Sequence, residues 1–264
     1  MSLHLPLENK IVVLTASELK SDRLATGLAR LGARVLEFPT IEIREISDPG
    51  PVDSSLDMVD AYDWIIFTSS YGVHYFLRRL TQRGISLACL RHPKICAVGP
   101  ATAATLTEAG IQVHLIPDDF VAEGILRALA KFHGGLEHLA GRRILIPRAK
   151  EGREVLPREL ESAGARVDVV ACYENVLPKV EESAIAALLK RVPDLIIFTS
   201  SSTVSNFVKL TGGPEGIRVL GTATVAVLGP ITATTVESFG KQPEIRAREN
   251  TSESLLEAIA EYYR

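Results

Sequence analysis

Short apolar runs rich in Val and Ile recur along the chain, and each is followed by a stretch with the helical spacing of apolar residues. Residues 10–15 precede a helical pattern over 21–31, and residues 143–148 precede one over 153–163. Strands that are buried on both faces read as continuous apolar runs, and parallel neighbours need crossover helices between them. The pattern therefore predicts an α/β fold built on parallel sheets.

The chain also matches itself at a shift of about 130 residues, which is the signal of an internal repeat. The matching pairs, in chain order, are KIVVLT with RILIPR, LGARV with AGARV, DWIIFTSS with DLIIFTSS, and AVGP with VLGP. Each half therefore carries the same strand and helix pattern. We expect two similar, doubly wound, flavodoxin-like lobes of about five strands each.

Two segments, 34–44 and 166–176, have extended patterns that are longer than one sheet needs. If both cross between the lobes, they pair as a two-stranded hinge, and the first β-α-β segment completes the sheet of the C-terminal half. A tandem arrangement, with one lobe following the other, explains the same pattern equally well. The residues alone leave both arrangements open.

Length and composition narrow the class of protein. The 264 residues, 46% hydrophobic and 23% charged, are typical of a globular protein with two domains. No segment approaches the roughly 18 apolar residues of a membrane span, so we expect no membrane insertion. Residues 1–10 lack the pattern of a secretory signal, and Cys89, Cys96 and Cys172 lack metal-ligand spacing. We expect a cytoplasmic protein without a bound metal.

The formal net charge of -3 argues against a nucleic-acid partner, because such proteins project a positive field. An anionic small molecule would have to be bound by local groups instead. Few aromatic residues lie where the lobe edges are predicted, so no dimer surface is evident and we expect a monomer.

Hydroxyl side chains follow two of the predicted strands, one in each half. These residues are Thr68, Ser69 and Ser70 in the first half, and Thr199, Ser200 and Ser201 in the second. In open parallel sheets, ligands bind beyond the carboxyl ends of the strands, where loops lead into helix N-termini. The hydroxyls are therefore candidates for ligand binding, although helix capping alone would also explain them.

A second pair of strand-to-helix turns contains Gly99 and Pro100, and Gly229 and Pro230. Proline is favoured at the first position of a helix, and glycine lets the backbone approach a ligand closely. Thr102 and Thr232 follow in the first helical turns. Together these turns offer backbone N–H groups and hydroxyls that can bind carboxylates, although a sterically required turn is an alternative explanation. Such local N–H donors would allow a protein with a negative net charge to bind an anion.

Common catalytic motifs are absent from the sequence, including the nucleophile elbow, the phosphate loop, the dinucleotide fingerprint and the HExxH zinc motif. A serine hydrolase with His74 as base is disfavoured, since His74 fits a helix face. Arg148 and Arg153 flank a turn and can grip carboxylates, or simply be solvated at the surface. Tyr173 lies on the second extended segment, where packing is the usual role of an aromatic residue, and alternation places Cys172 on the opposite face.

Several motifs occur together in a fixed order: IIFTSS, AVGPAT, IPR followed by GRE, CYEN, a second FTSS, and GPIT before NTSE. In this combination the chain resembles the uroporphyrinogen-III synthase family over nearly its whole length. The resemblance implies two α/β lobes joined by a two-stranded antiparallel linker, and so favours the crossed arrangement. It assigns 1–36 and 177–264 to the first lobe, 45–165 to the second, and 37–44 and 166–176 to the linker.

The resemblance also implies a reaction in tetrapyrrole (haem-type) biosynthesis that needs no cofactor. The linear tetrapyrrole hydroxymethylbilane loses water to give an electrophilic azafulvene and closes, through a spiro intermediate that inverts ring D, to uroporphyrinogen III. Such an enzyme is a hydro-lyase. By motif position, Tyr173 resembles the tyrosine that assists departure of the hydroxyl. The residues that resemble those orienting the acetate and propionate groups are Thr68, Ser69, Thr102, Ser200 and Thr232, with Arg148 as a further candidate.

Two departures from the family pattern are visible. Thr15 is followed by Ala16 and Ser17, where many relatives have Thr-Arg-Pro, so an anion contact there is in doubt. Thr251 and Ser252 in the second half correspond to Val121 and Ala122 in the first, which lacks that capping pair.

The competing function of another class is a non-catalytic, two-lobed module that binds a small molecule. A third alternative, a sugar-phosphate or nucleotide enzyme, needs a phosphate motif that the sequence lacks.

Overall fold

The computed structural model describes residues 5–264, apart from the side chains of residues 18–21. The chain forms two compact units: Met1–Glu42 with Val176–Arg264, called unit 1 here, and Ile43–Asn175, called unit 2. The chain thus passes from one unit to the other twice. The separate linker over 37–44 and 166–176 stays a prediction.

The secondary structure alternates between strands and helices in both units. The strands are β1 Ile11–Leu14, β2 Arg34–Glu37, β3 Glu42–Glu45, β4 Trp64–Phe67, β5 Lys94–Ala97, β6 Arg143–Ala149, β7 Arg166–Val176, β8 Leu195–Phe198, β9 Thr224–Val227 and β10 Ile245–Arg246. The helices are α1 Glu18–Arg30, α2 Gly50–Asp57, α3 Ser70–Gln82, α4 Pro100–Glu108, α5 Ala122–His133, α6 Val155–Ser162, α7 Glu182–Lys190, α8 Ser201–Leu210, α9 Pro214–Thr222, α10 Pro230–Ser238 and α11 Ser252–Tyr262. Short 3-10 helices span Val59–Ala61, Leu87–Arg91 and Leu136–Leu139.

Unit 1 contains a parallel sheet with the strand order β10-β9-β8-β1-β2. Strand β1 lies between β2 and β8, with Val12 opposite Val35 on one side and Leu195 on the other. The first β-α-β segment and the C-terminal half of the chain therefore share one sheet.

Unit 2 contains a sheet with the order β3-β7-β6-β4-β5, in which β7-β6, β6-β4 and β4-β5 are parallel pairs. When the order of unit 2 is reversed, the two sheets agree: β9-β8-β1-β2 of unit 1 corresponds to β5-β4-β6-β7 of unit 2. These matches pair the same sequence blocks that the repeat predicts. Two α/β units, one with a parallel sheet and one with a mixed sheet whose other strand pairs are parallel, confirm the predicted fold class.

In both units, an aspartate before one central strand accepts a backbone N–H from the neighbouring strand. The Asp194 carboxylate, just before β8, accepts the Ile11 N–H at 2.9 Å and pairs with Lys10 at 3.1 Å. Asp63, just before β4, accepts the Arg143 N–H at 2.9 Å in the same way. Burial alone would raise the pKa of both carboxyls, but these hydrogen bonds hold each pKa below its usual value. These aspartate hydrogen bonds fix the register of the two central strands in each unit.

Burial of the central strands on both faces explains their continuous apolar sequences. All residues of β1, β4 and β8 are buried. In unit 1, Val13 and Ile196 join one core cluster, while Val12 and Ile197 join the cluster on the opposite face. In the part of the chain that the structure describes, none of the helices has the length and apolar character needed to cross a bilayer.

His133, at the end of α5, makes the stability of unit 2 depend on pH. The buried Trp64 donates its indole N–H to His133 Nε2 at 3.1 Å, which requires a neutral imidazole. Burial, aided by the charges of Arg142 and Lys94, lowers the pKa of His133 below its ordinary 6.5. As the pH falls through that ordinary value, the unfolded chain takes up the proton before the folded one does, so the free energy of unfolding decreases.

We therefore expect the melting temperature to fall as the pH is lowered from about 7.5 to about 5.5, the window set by an ordinary histidine. The His133→Gln variant keeps an acceptor for the indole and should show a smaller fall. Asp53, Asp63 and Asp194, whose pKa values are lowered, lose their stabilisation only at more acidic pH. An unchanged pH dependence in the variant would assign the effect to other groups.

Candidate functional site

Tyr173 lies near the end of β7 and has only 6% of its surface exposed. Its hydroxyl lies 3.0 Å from Ser69 Oγ, so two residues predicted for the site on separate motifs are hydrogen-bonded to each other. The structure therefore joins the hydroxyl turn after β4 to the tyrosine of β7 within unit 2.

Ser69 is the N-cap of α3, and its Oγ accepts the Gly72 N–H at 2.9 Å. A Cβ at Gly72 would lie 2.9 Å from the Pro147 carbonyl oxygen of β6, so only glycine lets the helix approach the sheet this closely. The capping explanation is thus correct for Ser69. It does not exclude a second role, because the oxygen of the cap is also the partner of the Tyr173 hydroxyl.

Two tyrosines of α3 complete the surroundings of Tyr173. The Tyr75 ring stacks on it with centroids 5.5 Å apart and an angle of 22°, and the Tyr71 ring is tilted at 5.8 Å. The Tyr75 hydroxyl donates to the Ile43 carbonyl at 3.0 Å. These two residues were not predicted from the sequence, although their spacing of four on a helix places both on one face.

The phenol of Tyr173 is held in its neutral form. Burial raises its pKa above the ordinary 10.0, and this outweighs the Ser69 hydrogen bond, which lowers it. At neutral pH the group therefore carries its proton and can donate it through a hydrogen bond. Burial makes the phenol a weaker acid than a free tyrosine, so what the geometry offers a leaving group is a protonated hydroxyl held in place by Ser69 and by the rings of Tyr71 and Tyr75.

An irregularity in β7 corrects the predicted orientation of Cys172. The register passes from Arg148 opposite Ala171 to Ala149 opposite Tyr173, so Cys172 is left out of the pairing. Simple alternation would place Cys172 and Tyr173 on opposite faces, yet both pack in the same core cluster. Burial raises the pKa of the Cys172 thiol to about 12, so it carries no reactive thiolate at neutral pH.

Arg148, at the end of β6, is bound within its own turn. Its guanidinium donates to the Arg153 carbonyl oxygen at 2.7 Å and pairs with the Glu154 carboxylate, and its side chain is 13% exposed. A Cβ at Gly152 would lie 3.2 Å from Nη1, so the turn is shaped around this side chain. Binding of an external carboxylate by Arg148 stays a prediction.

In unit 1, Ser200 and Thr203 form a capping box at the start of α8. Ser200 Oγ accepts the Thr203 N–H at 3.4 Å, and the Ser200 N–H donates to Thr203 Oγ1 at 3.3 Å. Ser201 donates to the Ile231 carbonyl at 3.1 Å, which ties this turn to the start of α10. Ser69 and Ser200 thus each cap the helix that follows, and the hydrogen bond to a tyrosine hydroxyl is made by Ser69.

Thr102 and Thr232 differ from the other threonines of their helices. Thr105 and Thr107 in α4, and Thr234 in α10, donate to the carbonyl four residues earlier. Thr102 and Thr232 are 4% and 5% exposed, and within residues 5–264 neither hydroxyl has a hydrogen-bond partner. No fully buried side-chain oxygen in this range lacks a partner, so both hydroxyls reach solvent. A role of these two hydroxyls in binding a ligand stays a prediction.

The remaining hydroxyls have different surroundings. Thr68 and Thr199 are half-buried at the carboxyl ends of β4 and β8. Thr15 donates to the Ile197 carbonyl at 2.7 Å, so at this departure from the family pattern the hydroxyl serves the sheet. Thr251 caps α11 by accepting the Ser254 N–H at 3.2 Å, whereas Val121 at the start of α5 makes no side-chain cap.

No grouping of three or more His, Cys, Asp and Glu side chains suited to a metal ion occurs among the residues described. Within unit 2, the contact that the geometry shows between predicted site residues is that of the Ser69 and Tyr173 hydroxyls.

Comparison with known proteins gives one family. The family model described as uroporphyrinogen-III synthase HemD matches residues 22–257. A uroporphyrinogen-III synthase of Synechococcus elongatus is 33% identical over 265 residues, which cover 98% of this chain and 97% of the relative. A putative uroporphyrinogen-III synthase of Methanothermobacter thermautotrophicus is 36% identical over 216 residues, which cover 79% of this chain and 81% of the relative.

Solved structures agree in fold. A mutant uroporphyrinogen III synthase of Thermus thermophilus is similar with a TM-score of 0.64 at 18% identity, covering 97% of this chain and 100% of that one. A uroporphyrinogen-III synthetase of Helicobacter pylori gives the same TM-score and coverage at 22% identity.

The state of the threonine hydroxyls predicts how each contributes to stability. Thr102→Val and Thr232→Val remove no protein hydrogen bond and keep the side-chain shape, so each should change the free energy of unfolding by less than about 0.5 kcal/mol. Thr203→Val is the matched control, since its hydroxyl donates to the Ser200 carbonyl at 2.6 Å. That variant should lose about 1–2 kcal/mol because the Ser200 N–H also loses its acceptor. Denaturant titration measures all three, and equal losses would show that Thr102 and Thr232 are structural.

Proposed function

Because the chain belongs to the uroporphyrinogen-III synthase family, we propose that it converts hydroxymethylbilane to uroporphyrinogen III, with loss of water and inversion of ring D. The observation that carries the chemistry is the neutral Tyr173 hydroxyl at 3.0 Å from Ser69 Oγ. The activity belongs to porphyrin biosynthesis, and in reaction class it is a hydro-lyase.

The first step removes the hydroxyl of the substrate. The pyrrole ring that bears the hydroxymethyl group pushes electrons toward the departing oxygen, which leaves as water once it receives a proton, and we assign that proton to Tyr173. The azafulvenium cation that remains then loses its ring N–H proton, which restores the neutral phenol and leaves the azafulvene. Ser69 orients the phenol by hydrogen bonding, and its own position is fixed by the Gly72 N–H. The azafulvene then closes through a spiro intermediate, without a requirement for a cofactor.

The acetate and propionate groups of the substrate need donors that a protein of net charge -3 supplies locally. We assign them to the starts of α3, α4, α8 and α10, where backbone N–H groups are unpaired and the helix dipole favours anions. The side chains proposed to contribute are Thr68, Ser69, Thr102, Ser200 and Thr232. The support is strongest for Thr102 and Thr232, whose hydroxyls have no partner within residues 5–264.

Arg148 is the weakest member of the proposed binding set. Its guanidinium already contacts Arg153 and Glu154, so a substrate carboxylate would have to use its remaining N–H groups. Its first role is to shape the turn after β6.

We also propose that the protein acts as a monomer in the cytoplasm. The cysteines in the described part of the chain are free thiols, and Cys96 and Cys172 are buried, as suits a reducing compartment. Sedimentation of the purified protein would measure the oligomeric state directly.

The isomer of the product tests the proposed function against a non-catalytic binding module. Hydroxymethylbilane closes spontaneously to the type I ring, so the protein should divert a fresh sample to the type III ring within a short incubation. Chromatography of the oxidised porphyrins separates the two isomers. A product mixture identical to that of a protein-free control would leave only the binding module.

Loss of the Tyr173 hydroxyl should slow the chemical step. Positioned proton donors contribute about 10²–10⁴-fold, and we expect Tyr173→Phe to reduce type III formation by about 10², since water or substrate carboxylates can supply part of the assistance. Phenylalanine keeps the ring contacts with Tyr71 and Tyr75, so the melting temperature should change little.

Tyr62→Phe is the matched control, because its buried hydroxyl donates to Asp168 at 2.7 Å and lies outside the proposed site. That variant should keep its rate of type III formation. Near-normal type III formation by Tyr173→Phe would remove Tyr173 from the mechanism and leave it a packing residue.

A further inference from the structure

A hollow of about 340 Å³ lies in unit 1 beyond the carboxyl ends of β9 and β10. Its lining includes Gly229 and Pro230, at the start of α10, together with Arg246, Arg248 and Asn250. The hollow is therefore continuous with the helix start that carries Thr232.

The corresponding place in unit 2 is covered. The repeat, with its shift of about 130 residues, matches Gly229 with Gly99 and Asn250 with Phe120. A Cβ at Gly99 would lie 3.0 Å from the Phe120 ring, whereas the nearest atom to a Cβ at Gly229 is Asn250 Oδ1 at 3.8 Å. The aromatic ring thus closes against the turn in unit 2, and the smaller amide leaves the turn accessible in unit 1.

The repeat also differs in charge at this place. Arg246 corresponds to Ile116, and Arg248 corresponds to Asp118, so the hollow in unit 1 gains positive charge. Arg248 is paired with Glu261 at 2.9 Å, and Glu249 is an acid at the same rim. Arg246 is exposed and has neither a hydrogen-bond nor an ion-pair partner anywhere from residue 5 to residue 264. Its guanidinium is therefore free to bind an anion.

The start of α10 also favours an anion at the hollow. Gly229 and Pro230 line the hollow at the N-terminus of this helix, where N–H groups lack intrahelical partners and the helix dipole is positive. Thr232 lies in the first turn of the same helix, outside the lining of the hollow; it is 5% exposed, and its hydroxyl has no partner in the described chain. A planar carboxylate can accept hydrogen bonds from such a helix start and from a guanidinium at the same time.

We propose that Arg246 binds one substrate carboxylate in this hollow and acts as a specificity-determining residue of unit 1. The assignment rests on the proposed function, since it takes the carboxylate from hydroxymethylbilane. Because the residue contacts a side group and not the reacting carbon, its contribution is to binding and leaves the chemical step nearly unchanged.

The test compares Arg246→Gln, Arg246→Lys and the control Arg218→Gln, which also removes one exposed arginine of unit 1, one that pairs with Glu215. Arg246→Gln should raise KM for hydroxymethylbilane about tenfold, the effect of one charge-assisted hydrogen bond at an exposed site, with kcat within about twofold. Arg246→Lys should recover part of the loss because it keeps the charge but not the planar fork. The control should match the parent protein.

Binding of the stable octacarboxylate uroporphyrin III, followed by fluorescence, separates this proposal from the proposed function. Its affinity should fall about tenfold in Arg246→Gln and should depend less on salt than in the parent. Unchanged uroporphyrin affinity and unchanged KM in that variant would overturn the role of Arg246, even if the parent forms the type III ring. If the parent forms no type III ring, the function is wrong, and the same affinity measurement still decides whether Arg246 binds a carboxylate.

Discussion

The central strands of both units are buried on both faces, and the other features of the fold follow from this constraint. Such a strand is joined to its parallel neighbours by crossover connections, and the helices of these crossovers cover the two faces of the sheet. Every crossover then returns the chain in one direction, so helix N-termini collect at the carboxyl ends of the strands. The unpaired N–H groups at that edge are a consequence of burying β1, β4 and β8, and they make the edge suited to anions.

The two units share the contacts that hold their central strands and cap the next helix, and they differ at the carboxyl ends of the strands. Asp63 and Asp194 hold the start of the neighbouring strand in the same way, and Ser69 and Ser200 both cap the next helix. At the exposed edge the copies diverge: a tyrosine hydroxyl contacts the first cap, and Phe120 covers a turn that is accessible in the other copy. The two units therefore present different chemical groups at corresponding places of this edge.

The sequence was sufficient to predict the strands, the repeat and the parallel α/β class, because burial on both faces leaves an unbroken apolar signal in the residues themselves. It was also sufficient to find Ser69, Thr102, Thr232 and Tyr173 as candidates. Their partners could not be predicted in the same way. The register change at Cys172 depends on how β6 and β7 pair, and no single-strand periodicity reports it. The binding of the Arg148 guanidinium within its own turn could not be predicted either, since the sequence shows a charge but not what neutralises it.

Net charge is a poor guide to anion binding in this chain, and the arginines show why. A total of -3 sums charges over a whole molecule, whereas salt screens exposed charges beyond about 8–10 Å, so a ligand responds to the groups beside it. Arg79 is held by Asp53 and Arg218 by Glu215, so their charge is already balanced locally. Arg246 has no ion-pair partner in the described residues, although Glu249 lines the same hollow, and it lies near the start of α10. For an anion, the decisive quantity is therefore the number of N–H donors left unpaired at one place, which a negative protein can supply as well as a positive one.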